Sequence, residues 1–477
     1  MTLPPPLRPL ELAVRRRAHL VPDPVRNRLR ARLAFREPLL AGQLAAWDQP
    51  LVASGTGHTP PAPAGPAGNP PDDAPHAEHP APRGPDVISC ALVTGPMTYG
   101  GLAGVVADLA RGLAGHGVDV HVAAVGDAEA PPVGRAAAEL ISAGIGVSHL
   151  ARSEFGTWLT AVSPDVMSSH GAPDWALRTA RTLDVPVVDT LHGGHSFFGQ
   201  ERIRAARRAA LSSTVVAVSD MVRTQFLAAC PAMPADAVVT IPNGTRFPGF
   251  DPLARATTRR AWGIDREFVF VSLARFSVQK NAFGLVAAFR ELDQERYPSH
   301  LVLAGDVDDP GYVAQVIRLR DRAPHPERIH LRQSGPPTRL LAGADCFVLN
   351  SFFEGWALAS MEALAAGLPT ISSEVAGARE QLTAAQPVGH LIGNPLGDPL
   401  AANWQSTARH KFGRQVNREQ LTQAMQDVFE KREEWARERS RIAEESLRRF
   451  AMDSVYRRHA HVLAATAAGA PATSPRT

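Results

Sequence analysis

The sequence predicts an α/β protein made of parallel strand–helix–strand units and divided into more than one domain. Three observations carry this. At 477 residues the chain exceeds what one ordinary core encloses and suits two domains with extras. Residues Gly343 to Glu380 read as a complete βαβ unit: the apolar run Cys346-Phe347-Val348-Leu349, a polar loop, apolar positions Leu358, Met361, Leu364 and Ala365 at helical spacing, then Thr370-Ile371-Ser372. Gly367 and Pro369 stop that helix in the expected order. Glycine-rich turns also stand between predicted strands and helices, as at Tyr99-Gly100-Gly101 after Ile88–Val93.

Composition narrows the class. A hydrophobic content of 44% with 20% charged residues fits a globular protein, and no apolar run of about 18 residues predicts a membrane span. No signal peptide is read at the N-terminus. Cys90, Cys230 and Cys346 lack metal-ligand spacing and are expected as buried thiols of a cytoplasmic protein. The net charge of +3 hides an asymmetry. Residues 1–40 hold Arg8, Arg15, Arg16, Arg17, Arg26, Arg28, Arg30, Arg32 and Arg36 against Glu11, Asp23 and Glu37. Such an arm suits anionic lipid at the inner face of a membrane, an acidic partner or a neighbouring subunit, and a solvated helix face is the plainer expectation. Nucleic acid is not expected, since no aromatic platform accompanies the arginines.

In chain order, residues 1–52 form the basic extension, with short helices expected at Leu10–His19 and Pro24–Leu33, and residues 53–86 a Pro/Gly-rich linker that cannot bury enough surface to fold. The first domain is expected over 87–250 and the second over 251–435, followed by a helical segment at 436–465 and a tail at 466–477. Further strands are read at Val118–Val122, Pro164–His170, Val185–Leu191, Val215–Ser219, Val238–Pro242, Phe268–Leu273 and Leu301–Gly305. Gly393–Pro399 reads as an insertion.

Several residues then ask for chemistry. Glu354 lies in the loop beyond a strand's carboxyl end and Glu362 early in the following helix, where ligands of open α/β sheets bind. Arg275 and Lys280 share a strand-to-helix loop and could clamp a diphosphate. His192 ends a strand, where an imidazole is well placed for chemistry. Taken singly, each is equally an ordinary surface or loop residue. His192 with His195 is too sparse for a metal site, and Asp306-Val307-Asp308 reads as an acidic loop.

The context decides between these readings. The match at Ala344-Asp345, Ser351, Glu354-Gly355, Met361-Glu362-Ala363, Ala366-Gly367, Pro369 and Gly377–Glu380 resembles the E-x7-E signature of retaining glycosyltransferase family 4, which has the GT-B fold. Gly100-Gly101, Thr190-Leu191-His192-Gly193, Pro242-Asn243-Gly244 and the Arg275…Lys280 loop follow in the family's order, with Ala274 and Asn281 in place of its flanking glycines. His116-Gly117 reverses its Gly-His pair, and Thr245-Arg246 stand where Val-Asp is common.

The resemblance implies two Rossmann-like domains facing a cleft, with a C-terminal helix crossing back to the first. It implies transfer of a sugar from a nucleotide diphosphate-sugar donor to an acceptor hydroxyl, with retention and without a metal or other cofactor. Attack would be front-face, the leaving phosphate taking the acceptor's proton. By the same resemblance Glu362 binds the ribose, Glu354 the sugar hydroxyls, and Arg275 and Lys280 the diphosphate. Backbone at Gly100, Gly101, Gly355 and Gly377 contacts the donor, and His192 orients its sugar. The acceptor is not implied. A nucleotide-sugar epimerase and a non-catalytic GT-B subunit are the alternatives, whereas a lipase-like hydrolase is excluded by the absence of G-x-S-x-G.

Overall fold

The computed structural model describes residues 44–51, 87–97, 100–194 and 201–471. The basic arm, the expected helices within it, the Pro/Gly-rich linker, Tyr99 and His195 lie outside the described residues.

Two parallel sheets organise the chain. The first contains β1 (Ile88–Thr94), β2 (Val118–Gly126), β3 (Val147–Ala151), β4 (Val166–His170), β5 (Val187–Leu191), β6 (Thr214–Ala217) and β7 (Val238–Thr240), in the order β3-β2-β1-β4-β5-β6-β7. The second contains β8 (Phe268–Leu273), β9 (Ser299–Ala304), β10 (Ile329–Arg332), β11 (Cys346–Leu349), β12 (Thr370–Ser373) and β13 (Gly389–Ile392), in the order β10-β9-β8-β11-β12-β13. The strand β11 and the first four residues of β8 read as unbroken apolar runs because helices cover both faces. Alternate residues of β8 go to opposite cores, Phe268 and Phe270 to one and Val269 and Val271 to the other. In each sheet the order reverses beside the first strand, between β1 and β4 and between β8 and β11. Those reversals leave crevices at the strands' carboxyl ends, where open α/β sheets bind ligands.

The C-terminal end ties the two halves together. Preceded by the helix Arg418–Glu430, the expected helical segment at 436–465 is two helices, Arg432–Arg449 and Met452–Ala467. The last returns to the first domain, burying Val455, Tyr456, Val462 and Leu463 in the core beside β1 and β4. At the junction, a Cβ on Gly244 would sit 2.7 Å from Met452 Sδ and 2.9 Å from the Phe450 carbonyl oxygen, so the crossing admits only glycine there. Arg246, the departure from the family's acid, bonds the Tyr456 hydroxyl at 2.6 Å and pairs with Asp108 at 3.1 Å. His116 pairs with Asp453 at the start of the last helix, 3.3 Å away.

One contribution was invisible in the sequence. Residues 44–51, assigned above to the extension, pack on the second domain. Ala45 bridges Arg332 alongside β10, and the Arg332 guanidinium donates to the carbonyls of Ala46 (3.1 Å) and Pro50 (3.0 Å). Trp262 donates its indole N–H to the Trp47 carbonyl at 3.0 Å, while Leu44 and Leu51 are buried in the two cores of that sheet.

Candidate functional site

The loop after β8 carries Arg275 and Lys280 and ends at Asn281, which takes a left-handed backbone with φ 56°. That conformation explains both the family's glycine and its replacement, since asparagine is among the few side chains that visit it. Asn281 also caps the helix Ala282–Phe289, accepting from the Gly284 amide at 3.2 Å, and donates to the Asn350 carbonyl at 2.8 Å. Gln415 exchanges two amide bonds with Asn281 (2.9 and 2.7 Å), and Asn417 donates to Asn350 at 2.8 Å. The segment that begins with the expected insertion at Gly393–Pro399 thus supplies buried amides that lock the β8 loop to the β11 loop.

Across that brace, Lys280 Nζ donates to both oxygens of Glu354, at 2.7 and 2.8 Å. The Glu354 side chain is only 6% exposed, so its charge depends on this partner. Arg275 behaves differently. It pairs with Asp308 at 3.3 Å, with both side chains about half exposed. Asp306, the other acid of that loop, accepts from Ser334. Among the described residues no group of three His, Cys, Asp or Glu side chains is arranged to hold a metal.

Glu362 is the fifth residue of the helix Leu358–Ala365, which starts without a side-chain cap and so leaves its first amides open. Its carboxylate has no hydrogen bond or ion pair among the described residues, and burial pushes its pKa up to about 7. Gly377, with φ 78°, caps the short helix Ala378–Leu382. A Cβ there would strike the Trp356 ring at 2.7 Å.

The first domain meets these loops directly. Gly100, with φ 104°, starts the helix Gly101–Gly112, and a Cβ on Gly101 would lie 2.8 Å from Leu358 Cδ1. A Cβ on Gly355 would lie 2.0 Å from the His192 carbonyl oxygen, so the glycine beside Glu354 is what lets the two domains touch. Gly194, Met221 and Gln225 face Glu354, Ala376 and Asn394 around a small cavity at this contact. His192 follows β5, and its Nε2 is 2.9 Å from Nδ1 of His170, the last residue of β4. His170 and His459, the latter from the returning helix, complete a group of three imidazoles that sequence reading did not assemble. Burial pushes His192 down to about 4 and His459 to about 3, and burial beside its two neighbours holds His170 well below the usual range. An open groove between the helices bearing Arg152 and Trp175 lies on the outer face of the first domain, away from these loops.

The candidate donor-site residues His192, Arg275, Lys280, Glu354, Gly355, Glu362, Gly377, Gly100 and Gly101 therefore lie on a strand-end loop, or on the helix that follows one, at one or other reversal point or on the strand beside it. Two α/β domains whose reversal points face each other, lined by carboxylates, cations and an open helix N-terminus, define the glycosyltransferase class of GT-B proteins. The description "Glycosyltransferase Family 4" matches residues 99–246 and "Glycosyl transferases group 1" residues 254–406. Together they span well over half of the sequence, and the chain belongs to glycosyltransferase family 4.

Among curated relatives, a GDP-mannose-dependent alpha-(1-6)-phosphatidylinositol dimannoside mannosyltransferase of Mycobacterium tuberculosis is 29% identical over 180 residues, 38% of this chain and 45% of the relative. The match thus spans less than half that relative's length. D-inositol 3-phosphate glycosyltransferase of Xylanimonas cellulosilytica is 24% identical over 359 residues, covering 63% of this chain and 83% of the relative. Among solved structures, Anabaena HepE in complex with UDP and glucose superposes with a TM-score of 0.64 at 19% identity, over 79% of this chain and all of HepE. Sucrose-phosphate synthase from Thermosynechococcus elongatus gives 0.57 at 16% identity, over 77% of this chain and 96% of that one. These likenesses establish the fold.

Proposed function

We propose that the protein transfers a sugar from a nucleoside diphosphate-sugar to an acceptor hydroxyl in glycoconjugate synthesis, with retention and without a metal. One observation carries the reading. Glu362 is a half-buried carboxylate with no partner among the described residues, beside an uncapped helix start, in the crevice where the β8 and β11 loops meet the first domain. A carboxylate in that state is suited to vicinal hydroxyls such as those of a ribose, which give two O–H donors to a charge that water only partly solvates. The relative is named as GDP-mannose-dependent, and HepE is also known in complex with UDP-glucose. Both belong to the proposed donor class.

In this reading Lys280 and Arg275, with the open amides of the helix Leu358–Ala365, stabilise the diphosphate as its charge grows on bond cleavage. Glu354 binds sugar hydroxyls, which requires Lys280 to share or surrender its bidentate hold. His192 orients the sugar, and amides near Gly100, Gly101, Gly355 and Gly377 approach the donor closely. The acceptor enters from the first domain. The expected site of action is the cytoplasm, with contact to the inner face of a membrane through the basic N-terminal arm as the second reading.

The test is thermal stabilisation and slow hydrolysis against UDP-, GDP-, ADP- and TDP-sugars, with and without EDTA, beside Glu362→Ala. One donor should stabilise the wild type and lose its sugar with the anomeric configuration kept, unaffected by EDTA, while the variant responds to none. No response from the wild type to any nucleotide sugar would overturn the reading.

A further inference from the structure

The three imidazoles beside the cleft form more than a packed cluster, because their hydrogen bonds run in one direction. Ser168 Oγ lies 3.0 Å from His170 Nε2, and His170 Nδ1 lies 2.9 Å from His192 Nε2. Ser168 and His170 are fully buried, at 1% and 0% exposed. The Ser168 hydroxyl has no other partner among the described residues.

Proton counting then selects one arrangement. If His170 donated through Nε2 to Ser168, the serine's own buried proton would have no acceptor, at a cost of about 1–3 kcal/mol. In the opposite direction both protons of the buried pair, on Ser168 and His170, are used. The serine O–H donates to His170 Nε2, the His170 Nδ1–H donates to His192 Nε2, and His192 must carry its proton on Nδ1. That Nδ1 has no partner among the described residues. His459, whose ring centre lies 6.3 Å from that of His170, closes the far side of the chain. The depressed pKa values of all three rings keep the chain neutral at physiological pH.

We infer that His170 is a positioning residue: with Ser168 behind it, it fixes the ring and tautomer of His192, so that His192 offers an Nδ1–H donor to an oxygen of the bound sugar donor. His192 then works as a neutral hydrogen-bond donor and not as a base, since its one lone pair is already taken by His170. The inference deepens the glycosyltransferase reading and rests on it for the identity of the bound oxygen. The tautomer itself is independent of that reading.

The test uses the full chain with 15N-labelled histidine and three variants. His170→Asn keeps an amide donor near the position of Nδ1, His170→Phe keeps bulk without a donor, and Ser168→Ala removes the start of the chain. In the wild type the His192 ring nitrogens should report a single Nδ1–H tautomer, assigned by its loss in His192→Ala. His170→Phe and Ser168→Ala should give a tautomer mixture. With a hydrolysable nucleotide-sugar, His170→Phe should lower kcat about 10- to 100-fold with donor KM changed less than about twofold, an effect typical of lost positioning. His170→Asn should recover most of it, and His170→Phe should add nothing once His192 is alanine. An Nε2–H tautomer of His192 in the wild type, or an unchanged tautomer in His170→Phe, overturns the inference. If His170→Phe does not fold, the tautomer in the wild type and in Ser168→Ala decides. Failure of the wild type to turn over any nucleotide-sugar would overturn the functional reading, while the tautomer would still decide the role of His170.

Discussion

The two walls of the cleft are built on the same sheet plan and hold opposite chemistry. The first-domain wall presents neutral imidazoles and glycine backbone. The second-domain wall presents Lys280, Glu354, Arg275 and the partnerless Glu362 on a base of buried amides. Their titrations run in opposite senses. His192 has a folded pKa of about 4 against an ordinary 6.5, so its contribution is complete above pH 6.5 and is lost as the pH falls towards 4, the unfolded chain taking protons first. Glu362 has a folded pKa of about 7 against an ordinary 4.5, so stability is lost as the pH rises from 4.5 to 7, the unfolded chain releasing its proton first. Acid therefore loosens the first wall and base the second. In the proposed function, the wall that receives a charged ligand keeps charge ready at a cost in stability, while the wall that orients a neutral sugar avoids charge.

The largest effect expected from breaking this contrast is at Lys280. Lys280→Ala strands the 6%-exposed Glu354 carboxylate. It should lower unfolding stability by about 3 kcal/mol in urea titrations and abolish turnover. Adding Glu354→Gln should restore most of the stability and none of the turnover. Little stability loss in the single variant would mean that the pair is a surface contact only.

Glu362→Gln sharpens the comparison from the other side. It should raise stability by about 2 kcal/mol above pH 7, a gain that vanishes below about pH 4.5, while donor affinity falls at least about tenfold. A pH-independent gain would remove the charge from the explanation. Smaller again, His192→Asn should lessen the acid sensitivity between pH 6.5 and 5 by about 1 kcal/mol. The variant is needed because burial also lowers His300 and His330 in the second sheet, to about 4 and about 2.

The smallest stability effect should come from Arg275→Ala. Its partner Asp308 and the arginine itself are about half exposed, so unfolding should change by less than about 0.5 kcal/mol. Turnover should still fall clearly, if the cation serves the diphosphate. Loss of stability comparable to Lys280→Ala would show that the two cations are not divided between structure and chemistry.

Much of this molecule was legible because parallel strands and their helices write short, local signals. The unit Cys346–Ser373 was readable from apolar runs, helical spacing and a Gly-then-Pro stop. So was the position of each candidate site residue, since strand-end loops are where such sheets place ligands. The departures also became intelligible: Asn281 keeps the left-handed turn that glycine would supply, and Arg246 finds Tyr456 and Asp108. Residues 44–51 were read as part of a basic extension because nothing local distinguishes a segment that pairs with Arg332, 287 positions beyond Ala45. His170 was read as the end of a strand, and His459 drew no attention within a helix.

The sequence alone determined ten of the thirteen described strands and the loops that bear charge, because these depend on periodicity and turn chemistry within a few residues, and it left β3, β10 and β13 unread. Only the tertiary structure decided which groups are paired, which are left free and which share protons. Lys280 with Glu354, Gln415 with Asn281, and His170 between Ser168 and His192 are set by domain packing and burial, and burial is a property of the folded whole.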